Sequence, residues 1–223
     1  MSDARQQILE RIRRATSASS AAEHSDLPRN YIRHGSLDEA ARLNLMVERL
    51  QEYDADVVEC APDDLPACIA DRLHSSGKNK FVVPPGLPAE WLASGFDWKV
   101  DRGLTHAEIE ACDGVMTASF AGVADSGTIV LHHSASEGRR VLTLLPDWHL
   151  CILRTSQIVE TLPEYFDRCP QPPTLATYIS GPSATADIEM TRIKGVHGPR
   201  FLHVIVVHDE IIVRDGADQP KIQ

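Results

Sequence analysis

Apolar and polar positions follow two periods along the first half of the chain, one typical of helices and one typical of strands. Leu43, Met46 and Leu50 recur at helical spacing and predict an amphipathic helix over residues 37–53. The run DVVEC predicts a short strand after it, and a second predicted helix over residues 65–74 leads into the strand KFVVP. This alternation favours an α/β fold, so we predict an open, mostly parallel sheet with helices on both faces.

The apolar runs become shorter and more closely spaced in the middle of the chain. The segments are GVMTASFAGVADSGTIVLHHS and RRVLTLLPDWHLCILR, and the short links within them predict a local antiparallel portion. SQIVETLPEYFDR is predicted as a helix that begins at Ser156, and LATYIS and FLHVIVV are predicted strands. Ser36 with Glu39 and Thr105 with Glu108 have the spacing of capping boxes, which predicts two helix starts.

The N-terminal segment differs in composition from the rest of the chain. Residues 3–15 predict a short basic helix with Ile8, Leu9 and Ile12 on one side. The next stretch, TSASSAAEHSDLPRN, is rich in Ser and Ala and ends near a proline, as flexible connectors do. We therefore predict a helical arm and linker over residues 1–30 and one α/β domain over residues 31–223.

Composition and charge exclude several classes of partner. The 223 residues carry a formal net charge of −10, which leaves no basic excess for binding nucleic acid. No apolar run approaches the roughly 20 residues of a membrane helix, and the first residues lack the apolar core of a secretory signal. The expected location is the cytoplasm, without a membrane partner.

Cysteine usage and known loop motifs narrow the chemistry further. The five cysteines, at positions 60, 68, 112, 151 and 169, include no CxxC pair, so we expect reduced thiols and no metal site or iron–sulfur cluster in this chain. The phosphate-binding patterns GxxxxGK[ST] and GxGxxG are absent, and so is the GxSxG elbow. These absences disfavour a kinase, a nicotinamide dehydrogenase and an esterase.

A polar insert between two predicted strands is the strongest candidate for a ligand site. Ser180, Gly181, Pro182 and Ser183 follow the strand LATYIS, where an open α/β sheet binds ligands beyond its carboxyl strand ends. Glycine allows close approach, and Ser183 with Thr185 can cap a turn whose N–H groups suit a carboxylate or phosphate. The insert therefore predicts an anion pocket.

Three further residues of the insert are candidates for proton transfer. Asp187 and Glu189 are two positions apart and diverge on a helix, so at most one is expected to face inward. His197 lies between Gly195 and Gly198 in a tight turn, where it can hydrogen-bond or transfer a proton. The competing interpretation is a structural turn, because glycine–proline turns with capping hydroxyls are common.

A second candidate segment is AGVADSGTIVLHH. Asp125 and Thr128 stand at a strand entry, where a carboxylate can orient a hydroxyl-bearing ligand or act as a base; an ordinary turn is the alternative. In the pair Arg139–Arg140, one arginine can supply a cation to an anionic ligand, or both are solvated at a hairpin. His149 either approaches the ligand crevice or is a satisfied core histidine.

Three blocks of the sequence resemble the lactate utilization protein C family, which carries the LUD domain. They are AGVADSGTIVL, GRRVLTLLPDWHLCIL and SGPSATADIEMTRIKGVHGPRFLHVIVV. The resemblance implies the architecture of the NagB/RpiA/CoA-transferase group and a role in oxidising L-lactate to pyruvate. It also implies two iron–sulfur partner proteins, with this chain as the cluster-free component. Asp125 and Ser126 replace the family's usual glutamate and threonine, which favours an orienting role for this acid over nucleophilic attack.

Three hypotheses for function remain open at this point. The leading one is a cluster-free component of an iron–sulfur-dependent L-lactate utilization system that binds a small anion. A stand-alone sugar-phosphate isomerase or acyl/CoA transferase is the alternative, with Asp125 or Glu189 as its base or nucleophile. The third is a non-catalytic scaffold whose N-terminal arm docks a partner. The candidate catalytic residues are Asp125, Glu189 and His197. The candidate ligand-binding residues are Thr128, Arg139, His149, Ser180, Gly181, Pro182, Ser183, Thr185, Asp187, Gly195 and Gly198.

Overall fold

The structure is a computed structural model that describes residues 2–17, 30–185, 193–194 and 198–209. The chain divides into two units, Met1–Ile32 and Arg33–Gln223. The described helices are α1 (Ser2–Thr16), α2 (Glu39–Glu52), α3 (Leu65–Ser75), α4 (His106–Glu110) and α5 (Leu162–Arg168). The strands are β1 (Asp56–Cys60), β2 (Lys80–Val83), β3 (Asp97–Val100), β4 (Gly114–Ala118), β5 (Ala121–Val123), β6 (Thr128–Leu131), β7 (Trp148–Arg154), β8 (Ile158–Val159), β9 (Thr177–Ile179), β10 (Ala184–Thr185), β11 (Ile193–Lys194) and β12 (Phe201–Val207).

The second unit is built on a six-stranded sheet with the order β1-β12-β7-β4-β2-β3. All neighbouring strands in it pair in parallel. Strand β12 lies between β1 and β7, with Val204 opposite Val57 on one side and Cys151 on the other. The prediction of an open, mostly parallel α/β sheet is confirmed.

A second, four-stranded sheet has the order β8-β5-β6-β9. Its β5–β6 and β6–β9 pairs are antiparallel and its β5–β8 pair is parallel, so the predicted local antiparallel portion is confirmed. The predicted strand LATYIS is β9 of this sheet, and it does not join the parallel sheet. Strands β10 and β11 form a separate antiparallel pair.

Successive side chains of a strand point to opposite faces of the sheet. Because successive residues of the buried strands are apolar, both faces of the parallel sheet are covered by helices. On β7, Leu150 and Ile152 belong to the hydrophobic cluster that contains the buried side chains of α3. Cys151 and Leu153 belong to the opposite cluster, which contains the buried side chains of α2 together with Ile129 of the second sheet. Helix α2 therefore packs into a core that the two sheets share.

One of the two predicted capping boxes differs from the structure. Helix α2 is capped by Asp38, whose side chain accepts a hydrogen bond from the backbone of Ala41 at 2.8 Å, and the predicted start at Ser36 is wrong. The reason is tertiary: the backbone N–H of Leu37 donates to Glu160 at 2.7 Å, which holds this segment outside the helix. The capping box formed by Thr105 with Glu108 is confirmed.

The segment predicted as one helix from Ser156 is a short 3-10 turn, strand β8 and then helix α5. Thr161 and Glu164 form the capping box of α5. Ser156 donates its hydroxyl to Asp209 at 2.6 Å, so its side chain contacts a distant segment instead of opening a helix. In the described part of the chain, every helix is too short or too polar to cross a bilayer.

Candidate functional site

A pocket of about 250 Å³ lies where the second sheet meets the amino ends of β7 and β12. His149 and Leu202, the second residues of β7 and β12, form part of its wall. The turn after β9 contributes Ser180, Gly181, Pro182 and Ser183 to the opposite wall. Gly198 and Pro199, which precede β12, also line it, and the backbone N–H of Ser183 donates to the carbonyl of Pro199 at 2.8 Å.

The predicted position of this site at the carboxyl ends of the parallel strands is wrong. Strand β9 belongs to the second sheet, and the turn after it lines the pocket together with His149 and Leu202, which lie at the amino ends of β7 and β12. The predicted members that the structure brings together in the pocket are His149, Ser180, Gly181, Pro182, Ser183 and Gly198.

Gly181 is required by packing between backbone segments. Its φ of 88° is in the left-handed region that favours glycine. A Cβ atom on this residue would lie 2.5 Å from the Cβ of Tyr53, the residue that caps the C-terminus of α2. The glycine therefore lets the turn after β9 lie against the end of α2, which fixes the position of the neighbouring serines.

Arg140 supplies the positive charge of the pocket. Its guanidinium Nη1 donates to Thr177 Oγ1 at 2.6 Å, and both residues line the pocket. Thr177 Oγ1 is also 2.8 Å from His133 Nε2, and His133 Nδ1 is 2.9 Å from the carbonyl oxygen of Gly138. A carbonyl only accepts, so in the neutral ring Nδ1 donates and Nε2 accepts the Thr177 proton. The Thr177 oxygen is then oriented to accept from Arg140.

The charge balance of the described wall favours an anion. Among the pocket-lining residues that the structure describes, Arg140 is the only lysine or arginine, and none is an aspartate or glutamate. The hydroxyl groups of Thr143, Thr177 and Ser180 add hydrogen-bonding groups to the same wall. This combination of one guanidinium with several hydroxyls suits a small carboxylate or phosphate.

His149 is buried at the base of this pocket, with 1% of its surface exposed. Its Nε2 lies 2.8 Å from Thr117 Oγ1, a buried hydroxyl on the adjacent strand β4. Burial lowers the pKa of His149 to about 4, so the ring is neutral at physiological pH. It can therefore act in the pocket as a neutral hydrogen-bonding group and not as a cation.

Arg139, the predicted cation, lies outside the pocket. Its guanidinium donates two hydrogen bonds of 2.8 Å to Asp101 and a third of 2.9 Å to the carbonyl of Leu104. Hydrogen bonds from Arg139 hold the pKa of Asp101 below its usual value. The pair joins the loop after β3 to the loop before β7, and the adjacent Arg140 is the residue that reaches the pocket.

Comparison with known proteins decides the family. The LUD domain family model matches residues 1–207. The chain belongs to the LUD domain family. The resemblance deduced from the three sequence blocks is thereby confirmed.

Individual proteins are similar to this chain over half of its length or more. This LUD chain is 40% identical over 178 residues to "Lactate utilization protein C" of Deinococcus radiodurans, across 77% of this chain and 82% of that protein. It is 35% identical over 134 residues to "Lactate utilization protein C" of Bacillus subtilis, a match that spans 55% of each protein. A crystal structure of a DUF162 family protein from Deinococcus radiodurans superposes with a TM-score of 0.66 at 36% identity and covers 77% of this chain and 99% of that one. The wider likeness to NagB/RpiA proteins and CoA transferases stays a prediction.

Thr128 belongs to the segment AGVADSGTIVL, as Asp125 does, and it lies behind the pocket wall in contact with Ser180. Thr128 Oγ1 is 2.7 Å from Ser180 Oγ and 2.7 Å from Ser126 Oγ, so a chain of three hydroxyls leads from the surface to the pocket. Asp125 is exposed and does not line the pocket, and its backbone N–H donates to the carbonyl of Glu160 at 3.0 Å. The structure does not bring this carboxylate to the candidate site.

Four predicted site residues, Asp187, Glu189, Gly195 and His197, lie outside the described residues. For Thr185 the structure describes the backbone, within β10. Sequence reasoning missed Thr143, Thr177 and Leu202 as wall residues, and it chose Arg139 where the structure places Arg140. Within the described ranges, no three His, Cys, Asp or Glu side chains converge as metal ligands.

Proposed function

We propose that this LUD protein works in lactate utilization, as the cluster-free component of an iron–sulfur-dependent system that oxidises L-lactate to pyruvate. The proposal includes a small anion bound in the pocket around Arg140. Support for the pathway comes from the LUD domain and from the relatives that carry the name lactate utilization protein C. In this proposal the iron–sulfur clusters belong to partner proteins, which this chain joins in the cytoplasm.

The observation that carries the anion site is the positive charge of Arg140, which no other charged side chain accompanies in the described part of the wall. Its guanidinium is fixed by Thr177 beside a pocket whose described wall offers hydroxyls and no carboxylate. A volume of about 250 Å³ is below the usual range for drug-sized ligands and suits a ligand of few heavy atoms. A three-carbon hydroxy or oxo acid has the size and charge that this site accommodates.

Replacing Arg140 with glutamine is expected to weaken L-lactate binding about 10- to 100-fold, because charge-assisted hydrogen bonds contribute about 1.5–3 kcal/mol. Isothermal titration calorimetry with the purified full chain measures the affinity. Arg102→Gln is the matched control, since Arg102 is exposed and lies outside the pocket wall. Equal losses in the two variants would reject a specific role for Arg140.

The pathway assignment has its own test in cells. In an organism without a redundant lactate system, deletion of the gene is expected to abolish growth on L-lactate. The wild-type chain and Arg102→Gln should restore growth, and Arg140→Gln should restore it poorly. A tagged chain is also expected to copurify with iron–sulfur proteins. Undiminished growth of the deletion strain on L-lactate would remove the proposed role.

The alternative of a stand-alone isomerase or acyl/CoA transferase requires a carboxylate base or nucleophile at the ligand. Asp125, one of its two candidates, is exposed and outside the pocket. Glu189, the other, lies outside the described residues. No described contact favours this alternative over the anion-binding component.

A further inference from the structure

A chain of hydrogen-bonding groups runs from His149 into the parallel sheet. His149 Nε2 is 2.8 Å from Thr117 Oγ1, and Thr117 Oγ1 is 3.8 Å from Cys151 Sγ. Cys151 Sγ is in turn 3.9 Å from the carbonyl oxygen of Ala118. Thr117, Cys151 and His149 are all buried, so no bulk water competes for these groups.

The Ala118 carbonyl is the last acceptor in this series of hydrogen bonds, and it sets which group donates at each step. The Ala118 carbonyl only accepts, so Cys151 donates its S–H to it. Burial raises the pKa of the Cys151 thiol to about 12, which keeps that proton in place at physiological pH. The sulfur then accepts the Thr117 hydroxyl proton, and the Thr117 oxygen accepts from His149. The proton of the neutral imidazole is therefore on Nε2.

We propose that His149 Nδ1 is a fixed hydrogen-bond acceptor in the pocket and that it selects a 2-hydroxy acid over the corresponding 2-oxo acid. The inference rests on the proposed anion site, with the ligand carboxylate on Arg140. Nδ1 has no hydrogen-bond partner among the described residues, and His149 lines the pocket. An acceptor that opens into the pocket and has no partner in the described part of the chain is satisfied by a ligand that brings a donor.

The 2-hydroxy acid and the 2-oxo acid differ at the oxygen on C2, which is a hydroxyl in the first and a carbonyl in the second. A 2-hydroxy acid carries an O–H beside its carboxylate, and this hydroxyl can donate to Nδ1. A 2-oxo acid presents only lone pairs there, which face the lone pair of Nδ1 and leave both acceptors without a donor. A hydrogen bond that is left unmade in a buried site weakens binding, so we expect the hydroxy acid to bind about tenfold more tightly.

The test compares three probes on the full chain by calorimetry: L-lactate, pyruvate and propionate, which lacks the 2-oxygen. The expected order is L-lactate about tenfold tighter than pyruvate, with propionate also weaker than L-lactate. Equal affinity for all three would overturn the role of His149 and leave the anion site standing. Failure of all three to bind would overturn the anion site and this inference together.

Substitutions of Thr117, on β4, test whether its hydroxyl keeps His149 Nδ1 unprotonated and able to accept a hydrogen bond. Thr117→Val keeps the shape and removes the hydroxyl, so the lactate preference is expected to fall towards unity, and Thr117→Ser is expected to restore it. A lactate preference that Thr117→Val leaves intact would overturn the assigned direction of the chain. Circular dichroism on each variant verifies the fold.

A ligand-free measurement gives a second, independent result. In protein labelled with ¹⁵N-histidine, the resonances of His149 are assigned by their loss in His149→Gln. The expected pattern is a protonated Nε2 and an unprotonated Nδ1 at neutral pH. A protonated Nδ1 would make this atom a donor towards the pocket and would overturn the proposed selection even if an anion binds.

Discussion

Replacing Gly127 with alanine is expected to lower the free energy of unfolding by about 3 kcal/mol. Gly127 has a φ of 58°, in the left-handed region that costs other residues about 1–2 kcal/mol. A Cβ atom there would lie 2.7 Å from the Cβ of Arg49 and 3.1 Å from the backbone nitrogen of Leu50. Because the obstacle includes the backbone of α2, overpacking adds about 1–3 kcal/mol to the conformational cost.

Gly77 offers a matched control for this prediction. Its φ of 66° is close to that of Gly127, and a Cβ on Gly77 would meet no atom within 4 Å. Gly77→Ala should therefore show the conformational cost alone, about 1 kcal/mol. Urea unfolding of both variants measures the difference. Similar losses at the two positions would mean that α2 does not pack tightly against the turn before β6.

Acidification from pH 7 to 4.5 is expected to remove about 2.5 kcal/mol of stability through His149 alone. The pKa of this buried ring falls from 6.5 to about 4, so between these values the unfolded chain takes up a proton that the folded chain does not. The stability therefore decreases as the pH falls through this range, by about 1.4 kcal/mol for each factor of ten in proton affinity. Above pH 7 this contribution is constant.

The measurement is the difference between wild type and His149→Gln in urea unfolding at several pH values. Burial also lowers the pKa of His132 and His203, and both contribute in the same direction, so the wild-type slope alone does not isolate His149. The variant is expected to lose less stability on acidification than the wild type. His74→Gln, at an exposed position of α3, is the control. Parallel curves for wild type and His149→Gln would contradict a buried, neutral ring.

The sequence predicted the elements whose signals are local. The apolar run FLHVIVV became β12 with the same bounds, and the Thr105–Glu108 capping box opens α4 as predicted. The predictions that were wrong concern segments whose structure is determined by a contact with a residue distant in sequence. The backbone N–H of Leu37 donates to Glu160, and the hydroxyl of Ser156 donates to Asp209. No local sequence pattern indicates either contact.

The candidate site divides in the same way. The turn Ser180–Ser183 stood out by composition, and His149 was proposed as a residue near the crevice. The position of the pocket was not predictable, because it depends on β9 pairing with β6 in a second sheet. The choice of Arg140 over Arg139 depends on Asp101, which is 38 residues before Arg139 and holds its guanidinium away from the pocket.

The position of β12 has a consequence for folding during translation. Strands β1 and β7 are synthesised well before β12, yet they are never neighbours, because β12 fills the space between them. A nascent chain that has emerged only as far as β7 therefore leaves β1 without its neighbour in the sheet and one edge of β7 open, and unpaired strands of this kind invite aggregation. Chaperone binding during translation is expected to persist until the FLHVIVV segment has left the exit tunnel.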